Sequence, residues 1–277
     1  MRFMLLIKSD ADTEAGVTPN DERLSAFARF NETLAEAGVL VGAEGLMPSR
    51  RAARVRATRN ETQVIEGPFP EPTALIAGFW TIEVASKSEA VAWAQRVPGD
   101  AGEIEVRQVY ETEDFPVDDS EQPGGWREKE VRARERAKTA TPPRLPGTKR
   151  FILMIKSDRH QESGALPSPQ ALATMGELMG DLGRSGKVLG GEGLRPSHLG
   201  ARIVQSGSQR RVLDGPFTEA KEMIAGYMLV QVAALEDTYD IARRWLPVNL
   251  SESGSPHAEL EIRQLLELED LPLDPRS

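Results

Sequence analysis

An internal repeat is the feature that most restricts how this 277-residue chain can fold. The segment RFMLLIKSD at residues 2–10 returns as RFILMIKSD at residues 150–158, an offset of 150 − 2 = 148 residues. The same offset aligns the stretches that begin at Ala37 and Ser185, where nine of nineteen positions are identical. Each copy has the size of a small domain, so the repeat predicts two related domains in tandem and not a solenoid of short units.

The two copies differ in length near their ends. EIEVRQ, from Glu103, matches ELEIRQ, from Glu259, at an offset of 259 − 103 = 156, so the second copy is 156 − 148 = 8 residues longer. The pattern predicts a first domain over 1–116, a charged linker over 117–148 and a second domain over 149–277. The linker begins with polar, Gly- and Pro-containing sequence and continues as WREKEVRARERAKT, which favours a solvated helix.

Charge and composition exclude several classes of function. The formal net charge of −9 argues against a broad nucleic-acid surface, because phosphate contacts require clustered Lys and Arg. The chain has no cysteine, which excludes disulfides, thiol nucleophiles and thiolate metal sites. No stretch approaches the roughly 20 apolar residues of a membrane span. We therefore expect a cytoplasmic protein with neither a membrane nor a nucleic-acid partner.

The order of predicted elements indicates an α+β fold. Each copy reads as β-α-β, an inserted β-hairpin, then β-α-β, which is typical of a ferredoxin-like sandwich. In the second copy FILMIK is the first strand, and ARIVQ and RRVLD flank the polar turn of the hairpin. The apolar positions of the strands exceed what one sheet face can bury against helices. A second sheet from the tandem copy is the natural cover, which predicts an internal pseudo-dimer packed sheet to sheet.

Several motifs resemble the YCII-related family, in particular its DGPF-type members. The signature turn stands at Asp214–Phe217 as DGPF, GGEGLRPS stands at Gly190–Ser197, and His257 precedes the last strand. The resemblance covers both copies and implies a dimeric α/β-barrel of two ferredoxin-like units. The family has no firmly assigned reaction. Its suggested active site is a His–Asp pair, and some members occur with extracytoplasmic-function sigma factors.

A candidate acid–base pair is carried over from this resemblance. Asp214 matches the acid of the family and His257 matches its histidine, while the first copy has Glu66 and Ala101 at these positions. If Asp214 and His257 meet, the carboxylate orients the imidazole and increases its basicity. The alternative is that Asp214 organises the turn and His257 lies in a loop. An acid–base site is therefore predicted only in the second half.

Four further residues are candidates for ligand binding. Glu192 and Arg202 match Glu44 and Arg54 of the first copy. In each copy the glutamate and the arginine either hold a polar ligand or form an ion pair that braces the hairpin against the preceding loop. Arg263 on the last strand binds a carboxylate if it points inward, and only keeps the surface soluble if it points outward. His198 matches Arg50 and lies in a polar loop. His160 has no apparent partner.

These observations leave the function open between two main classes. One is an enzyme that acts on a small polar molecule by acid–base chemistry, with no metal, nucleotide or other cofactor. The other is a non-catalytic ligand-binding or regulatory module, linked to sigma-factor-dependent transcription. A pure assembly role is a third reading. The scattered histidines and the absence of a phosphate-loop or nucleophile-elbow motif favour no bound metal or nucleotide. Homodimerisation beyond the internal pseudo-dimer is compatible with the sequence.

Overall fold

The computed structural model describes residues 1–99, 101–115, 143–217, 223–253 and 255–270. The helix predicted within the linker lies outside these residues. Among the helices described, none combines the length and the apolar character needed to cross a membrane.

The two halves contain the same series of elements. The first half has the strands β1 (Arg2–Lys8), β2 (Leu40–Gly45), β3 (Ala52–Thr58), β4 (Thr62–Glu66), β5 (Ile76–Glu83) and β6 (Ala101–Gln108). The second half has β7 (Lys149–Lys156), β8 (Val188–Gly193), β9 (Ala201–Ser206), β10 (Gln209–Asp214), β11 (Ile224–Val232) and β12 (His257–Gln264). The α-helices are α1 (Ala11–Ala15), α2 (Asp21–Glu36), α3 (Lys87–Ala94), α4 (Arg159–Glu162), α5 (Pro169–Arg184) and α6 (Asp237–Ser253).

Side-chain caps explain where the two long first helices begin. The side chain of Asn20 accepts a hydrogen bond from the backbone N–H of Arg23 at the start of α2. The hydroxyl of Ser168 accepts one from the N–H of Ala171 at the start of α5, with Pro169 at the first helical position. Both arrangements satisfy backbone donors that have no partner inside the helix.

The strands form two antiparallel six-stranded sheets, and each sheet contains strands from both halves. The first sheet has the order β10-β9-β6-β1-β5-β2, and the second has the order β4-β3-β12-β7-β11-β8. Within each sheet the four strands of one half follow the ferredoxin-like order, which confirms the predicted α+β class. The hairpin at the outer end, however, belongs to the other half. β9 pairs with β6, and β3 pairs with β12.

This hairpin exchange ties the two halves together. The sequence predicts a hairpin that pairs within its own domain. In the structure each hairpin pairs with a strand of the other half, so the sheets do not follow the predicted domain boundaries. The division into 1–116 and 149–277 remains a prediction about chain segments. The pattern of the strands allows the exchange because each hairpin presents its alternating side chains to a neighbour of nearly the same sequence.

Alternating side chains produce three apolar layers. Phe3 and Leu5 of β1 pack beneath the helices of the first half, whereas Met4 and Leu6 face the other sheet. The layer between the sheets also contains Ile152 and other residues of the second half. The prediction that a second sheet covers the apolar strand faces is therefore confirmed.

Short bridges close the two sheets into a barrel. Leu46, just after β2, pairs with Leu265, just after β12, and Val109, just after β6, pairs with Leu194, just after β8. The hairpins extend the sheets beyond these seams. Each hairpin lies in the sheet whose other four strands belong to the opposite half. The loops of the half that supplies the hairpin therefore cover the inner face of that part of the sheet.

Candidate functional site

Hairpin exchange creates a buried ionic cluster at each end of the barrel. The first ionic cluster consists of Lys8, Glu105, Arg107, Glu162 and Arg202, and the second consists of the matching Lys156, Glu261, Arg263, Glu14 and Arg54. Each cluster draws residues from both halves. The glutamates on β6 and β12 point between the sheets because their neighbours in sequence, such as Ile262, point toward the helices.

In the second cluster three cations converge on one carboxylate. Glu261 is 1% exposed and lies 3.1 Å from Lys156 Nζ, 3.2 Å from Arg54 Nη2 and 3.3 Å from Arg263 Nη1. Burial alone would raise the pKa of Glu261, but Lys156, Arg263 and Arg54 outweigh it and lower this pKa to about 2. The carboxylate therefore stays charged at neutral pH.

The first cluster repeats this arrangement. Burial opposes ionisation of Glu105, but the charges of Arg107, Lys8 and Arg202 hold its pKa below the usual range. Arg107 is fully buried, and its guanidinium also donates to the carbonyl oxygen of Arg195 at 2.8 Å. Each charged side chain of the two clusters has an oppositely charged partner within its own cluster, so we assign the clusters a structural role.

The clusters account for two of the residues predicted to bind a ligand. Arg263 points inward, as one alternative required, but the carboxylates it binds are those of Glu261 and Glu14. Arg202 pairs with Glu103 and Glu105 of the other half, and its guanidinium lies 4.1 Å from the centroid of the Phe217 ring. Both guanidinium groups are thus committed to contacts within the chain.

Glu192 has a comparable structural partner. Its carboxylate binds the guanidinium of Arg2, which also pairs with Glu111 at 2.8 Å. The equivalent Arg150 binds Glu44 and Glu267. In place of an ion pair between hairpin and loop, Glu192 on β8 and Glu44 on β2 each brace their strand against the first strand of the other half.

The structure does not bring Asp214 and His257 together. Asp214 ends β10 on the outer edge of the first sheet, where its 76% exposed side chain pairs with Lys87 at 2.7 Å. His257 begins β12 in the second sheet, opposite Thr58. The hairpin exchange places the two residues in different sheets. The strand register separates them as well, because Asp214 is aligned through Ala201 with Val106, and the equivalent of Val106 on β12 is Ile262 and not His257.

The repeated GPF turns serve as close packing points of the backbone. A Cβ atom on Gly215 would lie 1.9 Å from the carbonyl oxygen of Ser197, and one on Gly67 would lie 1.8 Å from that of Ser49. The hydroxyl of Ser197 accepts a hydrogen bond from the N–H of Phe217 at 3.1 Å. Both Gly–Pro bonds are cis. The glycine is therefore required because any side chain would collide with the neighbouring loop.

A cleft of about 320 Å³ opens beside the loop that contains His198. It lies between the end of the first half and the loops of the second. Its lining includes Tyr110, Asp114, Gly164, Arg195 and His198. The side chain of His198 is exposed. Of the residues predicted to form a site, His198 lines this cleft.

Charged and aromatic groups meet on one wall of this cleft. Arg195 Nη1 lies 3.3 Å from Asp114, and its guanidinium carbon lies 5.8 Å from the centroid of the Tyr110 ring. Burial is the main reason that the pKa of Tyr110 is raised, so its phenol stays protonated at neutral pH. A protonated phenol donates and accepts hydrogen bonds without adding charge.

The first half fills the equivalent space with its own side chain. Arg50 stands where the second half has His198, and its Nη1 donates to the carbonyl oxygens of Glu14 and Ala15 at 3.4 and 3.2 Å. The guanidinium packs so closely on Gly16 that a Cβ atom there would lie 2.6 Å from Nη2. At the matching Gly164 the nearest side chain is Pro196, at 3.7 Å. Replacement of arginine by the shorter histidine therefore leaves room in the second half.

Sequence reasoning missed Tyr110, Asp114 and Arg195. The signal that was available is the difference between the copies at Arg50 and His198, which marks the place where one copy lost a filling side chain. Within the described residues no group of three or more His, Asp or Glu side chains has the arrangement of a metal site.

Comparison with known proteins supplies the family. Residues 1–113 match the YCII-related domain. They belong to the first half, whose turn reads EGPF. The uncharacterized protein R00369 of Rhizobium meliloti (strain 1021) is 33% identical over 110 residues, which cover 38% of this chain and 89% of that relative. This chain belongs to the YCII-related family.

Solved structures with a similar arrangement include two single-residue variants of chlorite dismutase from Candidatus Nitrospira defluvii. One is 12% identical with a TM-score of 0.38, and the other is 11% identical with a TM-score of 0.36. In both comparisons the match covers 97% of this YCII-related chain and 92% of the dismutase chain.

Proposed function

We propose that this YCII-related protein is a binding module for a small polar molecule, with the His198 cleft as its site. The observation that carries the proposal is the contrast between the halves. Arg50 fills the space over Gly16, whereas the same backbone framework in the second half stays open beside His198. A concave site with a few convergent polar groups is the usual setting for a small ligand.

The binding function is favoured over acid–base catalysis by Asp214 and His257. A general base acts only on a proton within hydrogen-bond reach, and a carboxylate orients a histidine only by contact. The ion pair of Asp214 with Lys87 and the position of His257 in the other sheet support neither condition. The predicted regulatory role is compatible with a module that binds without turnover.

The proposal is tested with His198→Arg, which gives the second half the residue of the first. We expect any small molecule that stabilises the wild-type protein in a thermal-shift screen to bind this variant at least about tenfold more weakly, a loss of about 1.4 kcal/mol. The new side chain occupies the cleft as Arg50 does. Affinity is then measured by isothermal titration calorimetry.

His257→Arg is the matched control, because it makes the same chemical change at the other candidate histidine. We expect it to leave ligand affinity unchanged. Ligand binding that survives His198→Arg but disappears in His257→Arg would contradict the proposal and support a site at the start of β12.

A further inference from the structure

We infer that the group recognised in the His198 cleft is a guanidinium or amidinium cation. The inference rests on the proposed function, since it names the chemistry of the same site. It comes from the first half, where the chain itself provides an occupant for the equivalent space, namely the guanidinium of Arg50.

The contacts of Arg50 show what this backbone framework accepts. Two carbonyl oxygens at the end of α1, those of Glu14 and Ala15, receive the donors of the guanidinium. Gly16 follows with φ of 77° and offers a flat surface for the planar group. A carbonyl pair requires donors, and a guanidinium supplies several in one plane.

The second half offers the same framework without the tethered group. The matching carbonyls are those of Glu162 and Ser163, followed by Gly164 with φ of 85°. Within the described residues no donor is bonded to these two carbonyl oxygens. His198 replaces the long side chain, so a free cation takes the place that Arg50 takes in the first half.

The remaining walls of the cleft suit a planar cation. The charge of Arg195 is matched by Asp114 at 3.3 Å, so a cation does not meet an uncompensated positive charge. The Tyr110 ring provides an aromatic surface, and guanidinium groups stack on such rings. A ligand with only acceptors, such as a simple carboxylate, makes no hydrogen bond to the carbonyl pair.

Methylguanidinium is the probe, and methylurea is its neutral control of the same shape. In titrations followed by NMR or calorimetry we expect one methylguanidinium site per chain, with affinity several-fold higher than for methylurea. His198→Arg is expected to remove this site. Equal affinity for the two probes, or methylguanidinium binding that His198→Arg leaves unchanged, would overturn the inference.

Arg50→Ala provides an independent arm. Removal of the tethered guanidinium empties the equivalent space of the first half, so this variant is expected to bind a second equivalent of methylguanidinium, more weakly than the first because Leu266 stands where the His198 cleft has Tyr110. Absence of a second site would overturn the equivalence on which the inference rests. A library ligand that is anionic and is lost in His198→Arg would overturn the cation assignment while the proposed function stands. Failure of every ligand to respond to His198→Arg would contradict the proposed function itself.

Discussion

Replacement of Glu261 by alanine is expected to lower the free energy of unfolding by about 3–5 kcal/mol, which is the usual cost of removing one partner of a buried ion pair. The substitution leaves the cations of Lys156, Arg54 and Arg263 around an empty carboxylate position. Arg263 is fully buried and has no access to water as a substitute partner. Denaturant unfolding of the variant and the wild-type protein measures the difference.

Glu103→Ala is the control for this prediction. Glu103 lies 3.3 Å from Arg202, and its side chain is 31% exposed, so water replaces much of the lost interaction. We expect a loss below about 1 kcal/mol. Equal losses for Glu103→Ala and Glu261→Ala would show that the buried cluster does not stabilise the fold as described.

The pH dependence of the same cluster follows from the sign of the pKa shift. The pKa of Glu261 falls from 4.5 to about 2 on folding, so its contribution is present above pH 4.5 and is lost as the pH falls toward 2. A shift of this size corresponds to about 3 kcal/mol. The stability difference between wild type and Glu261→Ala should therefore shrink between pH 4.5 and pH 2.

The second large effect concerns the isolated second half, residues 143–277, which is expected to form a homodimer. Alone, β12 lacks β3, and the hairpin of β9 and β10 lacks β6. A second copy supplies both partners. The charges are compatible, because Arg202 of one copy takes the place of Arg54 beside Glu261 of the other.

Multi-angle light scattering of this segment distinguishes the outcomes. We expect twice the mass of the segment, with dissociation coupled to unfolding, since the monomer exposes two unpaired strand edges. A folded monomer would contradict the exchange, because it would need the hairpin to return to its own sheet. The full chain, measured in parallel, controls for association that does not depend on the exchange.

Much of the fold is predictable because the repeat and the side-chain alternation are local signals. Phe151 and Ile152 point to opposite faces of β7, and both are buried, which already implies cover on each face. The exchange of hairpins is not predictable in this way. β3 meets the same alternation of glutamates and apolar residues on β6 and on β12, so pairing preferences do not choose between them.

The site was harder to predict than the fold because it depends on that choice. Asp214 and His257 were paired because both match the family pattern, and the structure places them in different sheets. His198 was predicted as a ligand-binding candidate because it is a polar loop residue that matches Arg50. Its significance depends on the space around Gly164, and a sequence does not show how far a side chain reaches across a turn.

Cysteine pairs test the hairpin exchange most directly, and the chain has no cysteine of its own to interfere. Arg56 lies opposite Glu259 on the paired strands β3 and β12, with their side chains 2.6 Å apart. Glu103 is the equivalent of Glu259 in the first half and would face Arg56 if the hairpin stayed in its own sheet. Cross-strand partners have the separation that a disulfide requires.

The measurement is the count of free thiols after mild oxidation of the full-length protein, at a concentration low enough to prevent disulfides between molecules. The exchange predicts that Arg56→Cys combined with Glu259→Cys forms a disulfide within the chain and retains no free thiol. It also predicts that Arg56→Cys combined with Glu103→Cys retains two. A disulfide in the second variant with free thiols in the first would contradict the exchange and the inter-half cleft that depends on it.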